Sequence, residues 1–387
     1  MRICFLCQSL DTLGGLQRAV VLLANELVSR GENVAVLMDG PALKANPYGL
    51  SDRVRLLEAT VEAKPPVVAS YAAKFRRHFG FPQPSARDGR LPDSVVFGKE
   101  FDAIRTCLEG GGFDFVVGCD PLHTVVAAYA CERLDVKVCG WQHSTYDGYF
   151  HQRGGGYYGL EGLYRSAVKR CDVNFVLTDE SRNVYERETG HAATVLPNSI
   201  AALGVRSRAE NCVLYCGRLD PGSKGADYLP AIASGLASAG FRGRFEIVGD
   251  GPYRGALERW VVGTDLPFRM ELAGFVASAG EYYAHASVLV SPSRWEGFGL
   301  SILEAMSYGV PCVAFDNDGP RSIITDGFDG FIVPKGSTDA LVDKAMGLMR
   351  DDDARSLMGD RAVGTARGYL VTAQADMFLA VLEGCGR

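Results

Sequence analysis

The chain has 387 residues, of which 47% are hydrophobic and 22% charged, and its 40 basic and 46 acidic residues give a net charge of −6. This composition excludes a largely disordered or collagen-like chain, and no apolar run approaches the roughly 18 residues of a membrane span. The acidic balance argues against wholesale nucleic-acid binding, which needs a basic surface. The length predicts about two domains.

The first half of the chain predicts strands that alternate with helices. Apolar residues over 16–27 recur at helical spacing, and Gly31 follows them as a stop signal. Residues 64–93 interrupt the rhythm with several prolines and glycines and predict an insertion, partly helical and partly loop. Short apolar runs predict strands over residues 2–7, 33–38, 113–119, 136–141, 173–177 and 193–196.

The pattern breaks near residue 200 and then restarts. New strands are predicted over residues 212–216, 244–249, 269–274, 287–291, 311–315 and 330–333, and a final helix over 366–382. Two successive α/β runs predict two doubly wound domains, over residues 1–200 and 201–368, followed by a C-terminal helix over 369–387. Ligands of such folds bind at the carboxyl ends of strands, and a cleft between two domains is the default site.

The chain contains eleven cysteines, most of them in apolar runs, which are typical of buried thiols in a reducing cytosol. Cys4 and Cys7 have the spacing of a redox or zinc pair, but residues three apart in a strand point to opposite faces. No second Cys/His pair follows at finger spacing, so we expect structural thiols. The apolar start is too short for a secretory signal, which favours a cytoplasmic protein. The cysteines in apolar runs are Cys4, Cys7, Cys119, Cys139, Cys216 and Cys312.

The stretch over residues 291–306 carries the strongest functional signal. A strand ends at its start, and a helix begins near Gly299, so the helix N-terminus predicts an anion site. Gly297 and Gly299 let a ligand approach the backbone closely. Two carboxylates, Glu296 and Glu304, flank this site, and hydroxyl groups are their natural targets. The pattern predicts a phosphate between two polyols, as in a nucleotide sugar.

The loop over residues 216–225 adds two cations, Arg218 and Lys224, at the same edge of the predicted sheet. A diphosphate needs such neutralisation, particularly when it leaves. Glycine turns over 248–252 and 11–15 also follow strands. Taken separately, the glycines are typical of plain turns and the charges of a solvated surface or a helix start, but their combination and order favour one site.

At this point the chain resembles the retaining glycosyltransferases of the GT-B fold, in the large group called family 4. The two glutamates match the E-x7-E motif of that family, and the resemblance covers essentially the whole chain. It implies two Rossmann-like domains that face a central cleft, with the C-terminal helix crossing back onto the first domain. The other matching positions are Gly217, Arg218 and Lys224 in the phosphate loop, Gly14 and Gly15 in the N-terminal glycine loop, and His143 as the active-site histidine.

The resemblance also implies a role for each residue. Arg218 and Lys224 bind the donor diphosphate, Glu304 takes the ribose hydroxyls and Glu296 the hydroxyls of the sugar. His143 contacts the donor sugar near the reacting centre. The implied catalytic residues are therefore His143, Glu296, Arg218 and Lys224. The implied donor-binding set adds Gly14, Gly15, Gly217, Gly249, Phe275, Val276, Gly297, Phe298, Gly299, Leu300 and Glu304, with the base near Phe275 and Val276.

No metal or cofactor is expected from the resemblance, because the two cations take the place of a metal. The leaving phosphate accepts the proton of the acceptor, so no enzyme nucleophile is needed. The chain departs from many members over residues 316–322, where a Gly-Pro sequence replaces a double glycine and a glutamate. This form is similar to that of bacterial enzymes that extend lipopolysaccharide and other surface glycans, which favours a UDP-hexose donor.

The expected activity is transfer of a hexose from a nucleotide sugar to a glycan, lipid-linked or small-molecule acceptor. Lys74, Arg76 and Arg77, interleaved with phenylalanines, form either a contact for anionic lipid headgroups at the inner face of the membrane or a solvated helix face. Two alternatives stay open, a nucleotide-sugar 2-epimerase and a non-catalytic nucleotide-sugar-binding protein. A Rossmann dehydrogenase is disfavoured, because no G-x-G-x-x-G follows the first strand.

Overall fold

The computed structural model describes residues 1–11, 14–40, 46–59, 86, 91, 95–96, 98–152, 157–207 and 209–386. The chain splits into two compact units, which we call unit 1 (Met1–Asn198 with Val371–Arg387) and unit 2 (Ser199–Leu370). The cations Lys74, Arg76 and Arg77 lie outside the described residues, as does most of the predicted insertion over 64–93. No described helix is long and apolar enough to cross a bilayer.

Unit 1 is built on a parallel sheet with the order β3-β2-β1-β4-β5-β6-β7 in the described residues. Its strands are β1 (Arg2–Cys7), β2 (Asn33–Met38), β3 (Arg55–Glu58), β4 (Phe115–Gly118), β5 (Lys137–Trp141), β6 (Val173–Val176) and β7 (Thr194–Val195). Its helices before the second unit are α1 (Gly15–Ser29), α2 (Gly98–Gly111), α3 (Pro121–Ala130), α4 (Tyr146–Phe150), α5 (Glu161–Val168) and α6 (Asp179–Thr189).

The two faces of the unit 1 sheet carry separate cores, and the cysteines of β1 show how the strand divides between them. Cys4 packs into one apolar cluster and Cys7 into the other, and both side chains are fully buried. The prediction that they point to opposite faces is confirmed, and all eleven cysteines are free thiols. β3 was not predicted, because this edge strand is only four residues long and has a charged residue at each end.

Unit 2 repeats the plan with the parallel order β10-β9-β8-β11-β12-β13. Its strands are β8 (Cys212–Cys216), β9 (Arg244–Val248), β10 (Arg269–Gly274), β11 (Val288–Ser291), β12 (Cys312–Phe315) and β13 (Gly330–Val333). Its helices are α7 (Pro221–Lys224), α8 (Leu229–Ser238), α9 (Arg254–Val262), α10 (Gly280–His285), α11 (Leu300–Ser307), α12 (Asp318–Ile323), α13 (Thr338–Arg350) and α14 (Asp352–Arg367). The prediction of two doubly wound α/β domains is confirmed.

The predicted final helix over 366–382 is wrong at its start. Helix α14 ends at Arg367, and a new helix, α15, begins only at Val371 and runs to Cys385. The residues between them leave the helix because Leu370 forms a parallel bridge with Ile200, and the Ile200 N–H donates to the Tyr369 carbonyl at 3.0 Å. The chain returns to unit 1 after this bridge.

Helix α15 completes one of the two cores of unit 1. Phe378 and Leu382 are fully buried in the cluster that includes β1. The Phe378 ring lies 6.0 Å from that of Phe5 and 5.4 Å from that of Phe175, measured between centroids. At the helix start, Gln374 donates a hydrogen bond to the Pro197 carbonyl, and unit 1 therefore consists of both ends of the described chain.

Both sheets reverse their winding direction beside their first strand. In unit 1 this switch lies between β1 and β4, and in unit 2 between β8 and β11. Ligands of open α/β sheets bind outside the carboxyl ends of the strands at such a switch. The loops that follow β8 and β11 hold Arg218, Lys224 and Glu296, so the fold brings the strongest sequence motifs to the expected place.

Candidate functional site

The loop after β8 presents the first of the two predicted cations. Arg218 lies two residues beyond the strand, with 66% of its side chain exposed, and its guanidinium is 3.2 Å from the Asp220 carboxylate. Asp220 caps α7 by accepting hydrogen bonds from the N–H groups of Gly222 and Ser223. Although burial opposes it, these bonds hold the pKa of Asp220 below its usual range. The loop is thus ordered around a carboxylate, and Arg218 extends from it into solvent.

The second cation, Lys224, ends α7 and forms an ion pair with Oε2 of Glu296 on the loop after β11. The Ser293 hydroxyl donates to the same oxygen at 3.4 Å. Backbone contact also joins the two loops at Gly225, whose φ is +64° and where a Cβ would lie 2.1 Å from the Pro292 carbonyl oxygen. Only glycine permits both this conformation and this approach.

Arg294 joins the same two loops in a way that the sequence did not reveal. Its guanidinium forms a two-pronged pair with Asp227 at 2.5 and 2.7 Å and donates to the Pro221 carbonyl at 2.5 Å. It also lies over the Tyr228 ring, 4.3 Å from the centroid. The Arg294 N–H donates to the Ser223 carbonyl at 2.8 Å. Such forked pairs are geometrically specific, so Arg294 fixes the loop that carries Lys224.

The helix predicted to begin near Gly299 begins at Leu300, as α11. Gly299 precedes it with φ +103° and no side-chain cap. Phe298 is buried, so only its backbone is available to a ligand. Gly319 at the start of α12 donates its N–H to the Glu296 carbonyl at 3.2 Å, and a Cβ there would lie 2.5 Å from the Phe298 carbonyl oxygen. The loop before α11 is therefore held from both sides.

Glu304 lies one turn inside α11 and is 8% exposed. Its Oε2 accepts a hydrogen bond from the Tyr283 hydroxyl at 2.9 Å. The same hydroxyl is 3.1 Å from Sγ of Cys216. Cys216 is partly exposed, which corrects the prediction of a buried thiol, because it is the last residue of β8 at the edge where the loops begin.

The turns after β9 and β10 close the same edge of the sheet. Gly249 has φ +134°, a Cβ there would lie 1.9 Å from the Gly217 carbonyl oxygen, and its N–H donates to the Gly274 carbonyl at 2.8 Å. Phe275 follows β10 with 52% of its surface exposed, and Val276 is partly buried. An exposed aromatic ring beside a glycine turn offers an apolar surface to a ligand.

Three of the predicted site residues lie in unit 1. Gly14 precedes α1, Gly15 is its first residue, and the Gly14 N–H donates to the Tyr48 hydroxyl at 3.0 Å. His143 follows β5, and its ring centroid is 4.3 Å from that of Trp141. Both ring nitrogens are inaccessible to water and have no hydrogen-bond partner, and burial lowers the pKa of His143 to about 3. The imidazole is therefore neutral near pH 7.

Unit 1 also contains a buried charged group that the sequence did not mark. Nδ1 of His123 is 2.6 Å from an Asp120 oxygen, and Nε2 is 3.2 Å from an Asp39 oxygen. Burial opposes the charge of the imidazole, but the two carboxylates raise the pKa of His123 to about 10. Asp39 follows β2 and Asp120 follows β4, so this cluster ties two loops across the end of β1.

One group among the described residues has the composition of a metal site. The ligand atoms of Cys212, Glu246 and His285 lie within 4.8 Å of one another. His285 and Glu246 are already joined by a 2.8 Å hydrogen bond, and the Arg244 guanidinium is 3.4 Å from Glu246. Cys212 begins β8, so the group lies at the opposite end of that strand from the Arg218 loop.

Two family models match the chain, one for each unit. A model described as Glycosyltransferase Family 4 matches residues 13–202, and one described as Glycosyl transferases group 1 matches residues 210–351. The structure is similar to that of TarM from S. aureus in complex with fondaparinux, alpha-GlcNAc-glycerol and UDP, with a TM-score of 0.78 over 99% of this chain and 100% of that chain. At 14% identity this likeness shows the fold.

Among curated proteins, the chain is 32% identical over 177 residues to the alpha-D-kanosaminyltransferase of Streptomyces kanamyceticus, covering 45% of this chain and 46% of that protein. It is 26% identical over 395 residues to the phosphatidyl-myo-inositol mannosyltransferase of Mycobacterium leprae, covering 99% and 96%. With three of the curated relatives the matched part is only 38–54% of the length of the relative. Because the two models match consecutive halves of the chain and both sheets have the GT-B strand order, the protein belongs to the GT-B glycosyltransferases of the family 4 type, which are transferases.

Proposed function

We propose that the protein transfers a hexose from a UDP-sugar to a hydroxyl group of a glycan, lipid-linked or small-molecule acceptor, with retention of the anomeric configuration. The observation that carries this proposal is the joining of the Lys224 loop to the Glu296 loop at the switch point of unit 2. It sets a cation for phosphate beside a carboxylate for hydroxyl groups, which is the chemistry of a nucleotide sugar.

The names of similar proteins support the finer parts of the proposal. TarM was solved with UDP, which supports a uridine nucleotide. The kanosaminyltransferase is named for an alpha linkage, and transfer from an alpha-linked donor to an alpha-linked product is retention. The M. leprae relative is named for a phosphatidylinositol acceptor, which supports a lipid-linked acceptor. Contact of Lys74, Arg76 and Arg77 with a membrane stays a prediction.

In the proposed mechanism the protein binds, orients and stabilises charge. Arg218, Lys224 and the start of α11 hold the diphosphate, whose departure they favour by neutralising the developing charge. Glu304 binds the ribose hydroxyls and Glu296 the hydroxyls of the sugar. His143, neutral and with both nitrogens unpartnered, offers one hydrogen-bond donor and one acceptor to the donor sugar. The acceptor oxygen attacks as the phosphate leaves, and the phosphate takes the proton, so no metal is required.

Binding of nucleotides tests the donor half of the proposal without knowledge of the acceptor. UDP, GDP, ADP and CDP, each with its common hexose conjugates, are added to the protein, and the melting temperature is recorded. We expect a rise with UDP and UDP-hexoses that is lost in Glu304→Ala. A rise with a different nucleotide alone would overturn the uridine assignment, and no rise with any of them would overturn the donor site.

Turnover tests the reaction itself. The UDP-hexose that binds is incubated with candidate glycan, lipid-linked and small-molecule acceptors, and release of UDP is measured with and without acceptor. We expect release that depends on acceptor and an alpha linkage in the product. Conversion of the UDP-hexose to another UDP-hexose without acceptor would indicate an epimerase, and tight binding without any turnover would indicate a binding protein.

A further inference from the structure

Tyr283 is a buried residue of unit 2 that the proposed mechanism does not use. It lies on α10, is 2% exposed and packs its ring 5.7 Å from that of Tyr308. Its hydroxyl is 2.9 Å from Oε2 of Glu304 and 3.1 Å from Sγ of Cys216. The contact therefore joins three elements of unit 2, namely β8, α10 and α11.

The direction of the hydrogen bonds follows from the chemistry of the three groups. A tyrosine hydroxyl has one proton, and a carboxylate is a stronger acceptor than a thiol, so Tyr283 donates to Glu304. The thiol of Cys216 then donates to the phenolic oxygen. Burial, with the nearby Cys216 and Glu304, raises the pKa of Tyr283 well above its usual value, so the phenol stays protonated.

A bond of this kind restricts how Glu304 presents its oxygens. A side chain at 8% exposure packs tightly, but the last torsion of a glutamate is soft, and a hydrogen bond from a fixed phenol removes that freedom. A carboxylate offers about four lone-pair positions, so one bond from Tyr283 is compatible with accepting from both hydroxyls of a ribose.

We propose that Tyr283 is a positioning residue that orients the Glu304 carboxylate toward the ribose of the donor and thereby sets the preference for ribonucleotides over deoxyribonucleotides. The inference rests on the proposed function, in which Glu304 binds ribose. Tyr283 acts through Glu304, without touching the ligand.

The test compares ligands that differ only in the ribose. Binding of UDP, 2′-deoxy-UDP and 2′,3′-dideoxy-UDP is measured by calorimetry for the wild type, Tyr283→Phe and Tyr282→Phe. The last is a matched control, because Tyr282 is the neighbouring tyrosine on the same helix. A hydrogen bond to a charged group is worth about tenfold in affinity. We expect Tyr283→Phe to reduce the preference for UDP over dideoxy-UDP by about this factor, with the affinity for dideoxy-UDP unchanged, and Tyr282→Phe to leave the preference as in the wild type.

A double-mutant cycle distinguishes positioning from a general effect on the fold. Once Glu304→Gln has removed the carboxylate, Tyr283→Phe should have little further effect on the ribose preference. Cys216→Ala, which removes the thiol behind the phenol, should shift the preference in the same direction by a smaller factor and serves as the second variant if Tyr283→Phe folds poorly.

Three results would overturn the inference. One is an unchanged ribose preference in Tyr283→Phe, and another is an equal loss of affinity for UDP and dideoxy-UDP. The third is a wild type that binds UDP and dideoxy-UDP equally, or binds neither. That third result contradicts the proposed role of Glu304 itself, so it is distinguishable from a failure of Tyr283 alone.

Discussion

Lys224 and Glu296, which were predicted to bind different parts of a nucleotide sugar, are joined to each other by an ion pair. The pair spans the two loops at the switch point of unit 2, so each charge is held at the ligand site by the other. A diphosphate that takes Lys224 therefore competes with Glu296, and a sugar that takes Glu296 releases Lys224. The two residues are coupled through their contact as well as through the ligand.

This coupling predicts opposite effects of two substitutions on UDP binding. Lys224→Ala should weaken both UDP and UDP-hexose by roughly ten- to hundredfold, since a charge-assisted bond is lost. Glu296→Gln should strengthen UDP by up to about fivefold, because a partly buried competitor is removed, while lowering the preference for UDP-hexose over UDP. Calorimetry checks both. Lys335→Ala, an exposed lysine after β13, should change neither, and equal losses in both variants would contradict the coupling.

Arg294→Lys should loosen the loop that carries Lys224. Lysine keeps the charge but loses the two-pronged bond to Asp227 and the fit over the Tyr228 ring. We expect a loss of about 1–3 kcal/mol in the free energy of unfolding and weaker binding of UDP, measured by urea denaturation and calorimetry. Arg259→Lys, on the exposed face of α9, is the control. Wild-type stability with wild-type UDP binding would show that Arg294 has no such function.

Gly225→Ala should be more damaging than an equivalent change at Gly240. Both glycines have positive φ, +64° and +85°, so alanine costs about 1–2 kcal/mol of backbone strain at either position. A Cβ at Gly225 also meets the Pro292 carbonyl oxygen at 2.1 Å, whereas nothing lies within 4 Å of one at Gly240. Denaturation measurements should therefore separate the variants, and UDP binding should fall only in Gly225→Ala. Identical losses would mean that strain alone matters.

His143 should remain neutral throughout the physiological range. Burial lowers the pKa of its imidazole to about 3 in the folded state, whereas the unfolded chain takes up the proton near pH 6.5. Protonation thus favours the unfolded state, and this residue lowers the free energy of unfolding as pH falls from about 6.5 toward 3. His143→Gln should flatten the acid limb of the stability profile. An NMR signal of His143 that titrates near pH 6.5 would contradict this prediction.

His123 should have the opposite effect. Asp120 and Asp39 raise the pKa of its imidazole to about 10 against the effect of burial, so its stabilisation is fully present below pH 6.5 and is lost as pH rises through about 10. His123→Asn should remove this alkaline dependence and cost about 3–5 kcal/mol at pH 6, because two carboxylates lose their buried partner. Urea titrations between pH 6 and 10 check both points. An unchanged slope in that range would refute the charged state of His123.

The strands were predictable because their apolar runs are short and bounded by glycines and charges. Several, such as β8 and β10, have the predicted ends, whereas β3 carries too weak an apolar signal. The break before α15 was not predictable, since it depends on a bridge between Ile200 and Leu370, which are remote in sequence. The same reason explains the site: Arg218, Lys224 and Glu296 belong to motifs, but Asp227 and Tyr283 act only through partners on distant segments.

The division of unit 1 between both ends of the chain has a consequence for synthesis on the ribosome. Its β1 core lacks Phe378 and Leu382 until α15 has been translated. The roughly 170 residues of unit 2 come first and take about 10–30 s at ordinary elongation rates. During that time the apolar groove on α1 and β1 that receives α15 stays uncovered, while unit 2 already has all of its strands. The nascent chain thus has an interval in which the second unit can mature before the first, and in which chaperones protect unit 1 or aggregation consumes it.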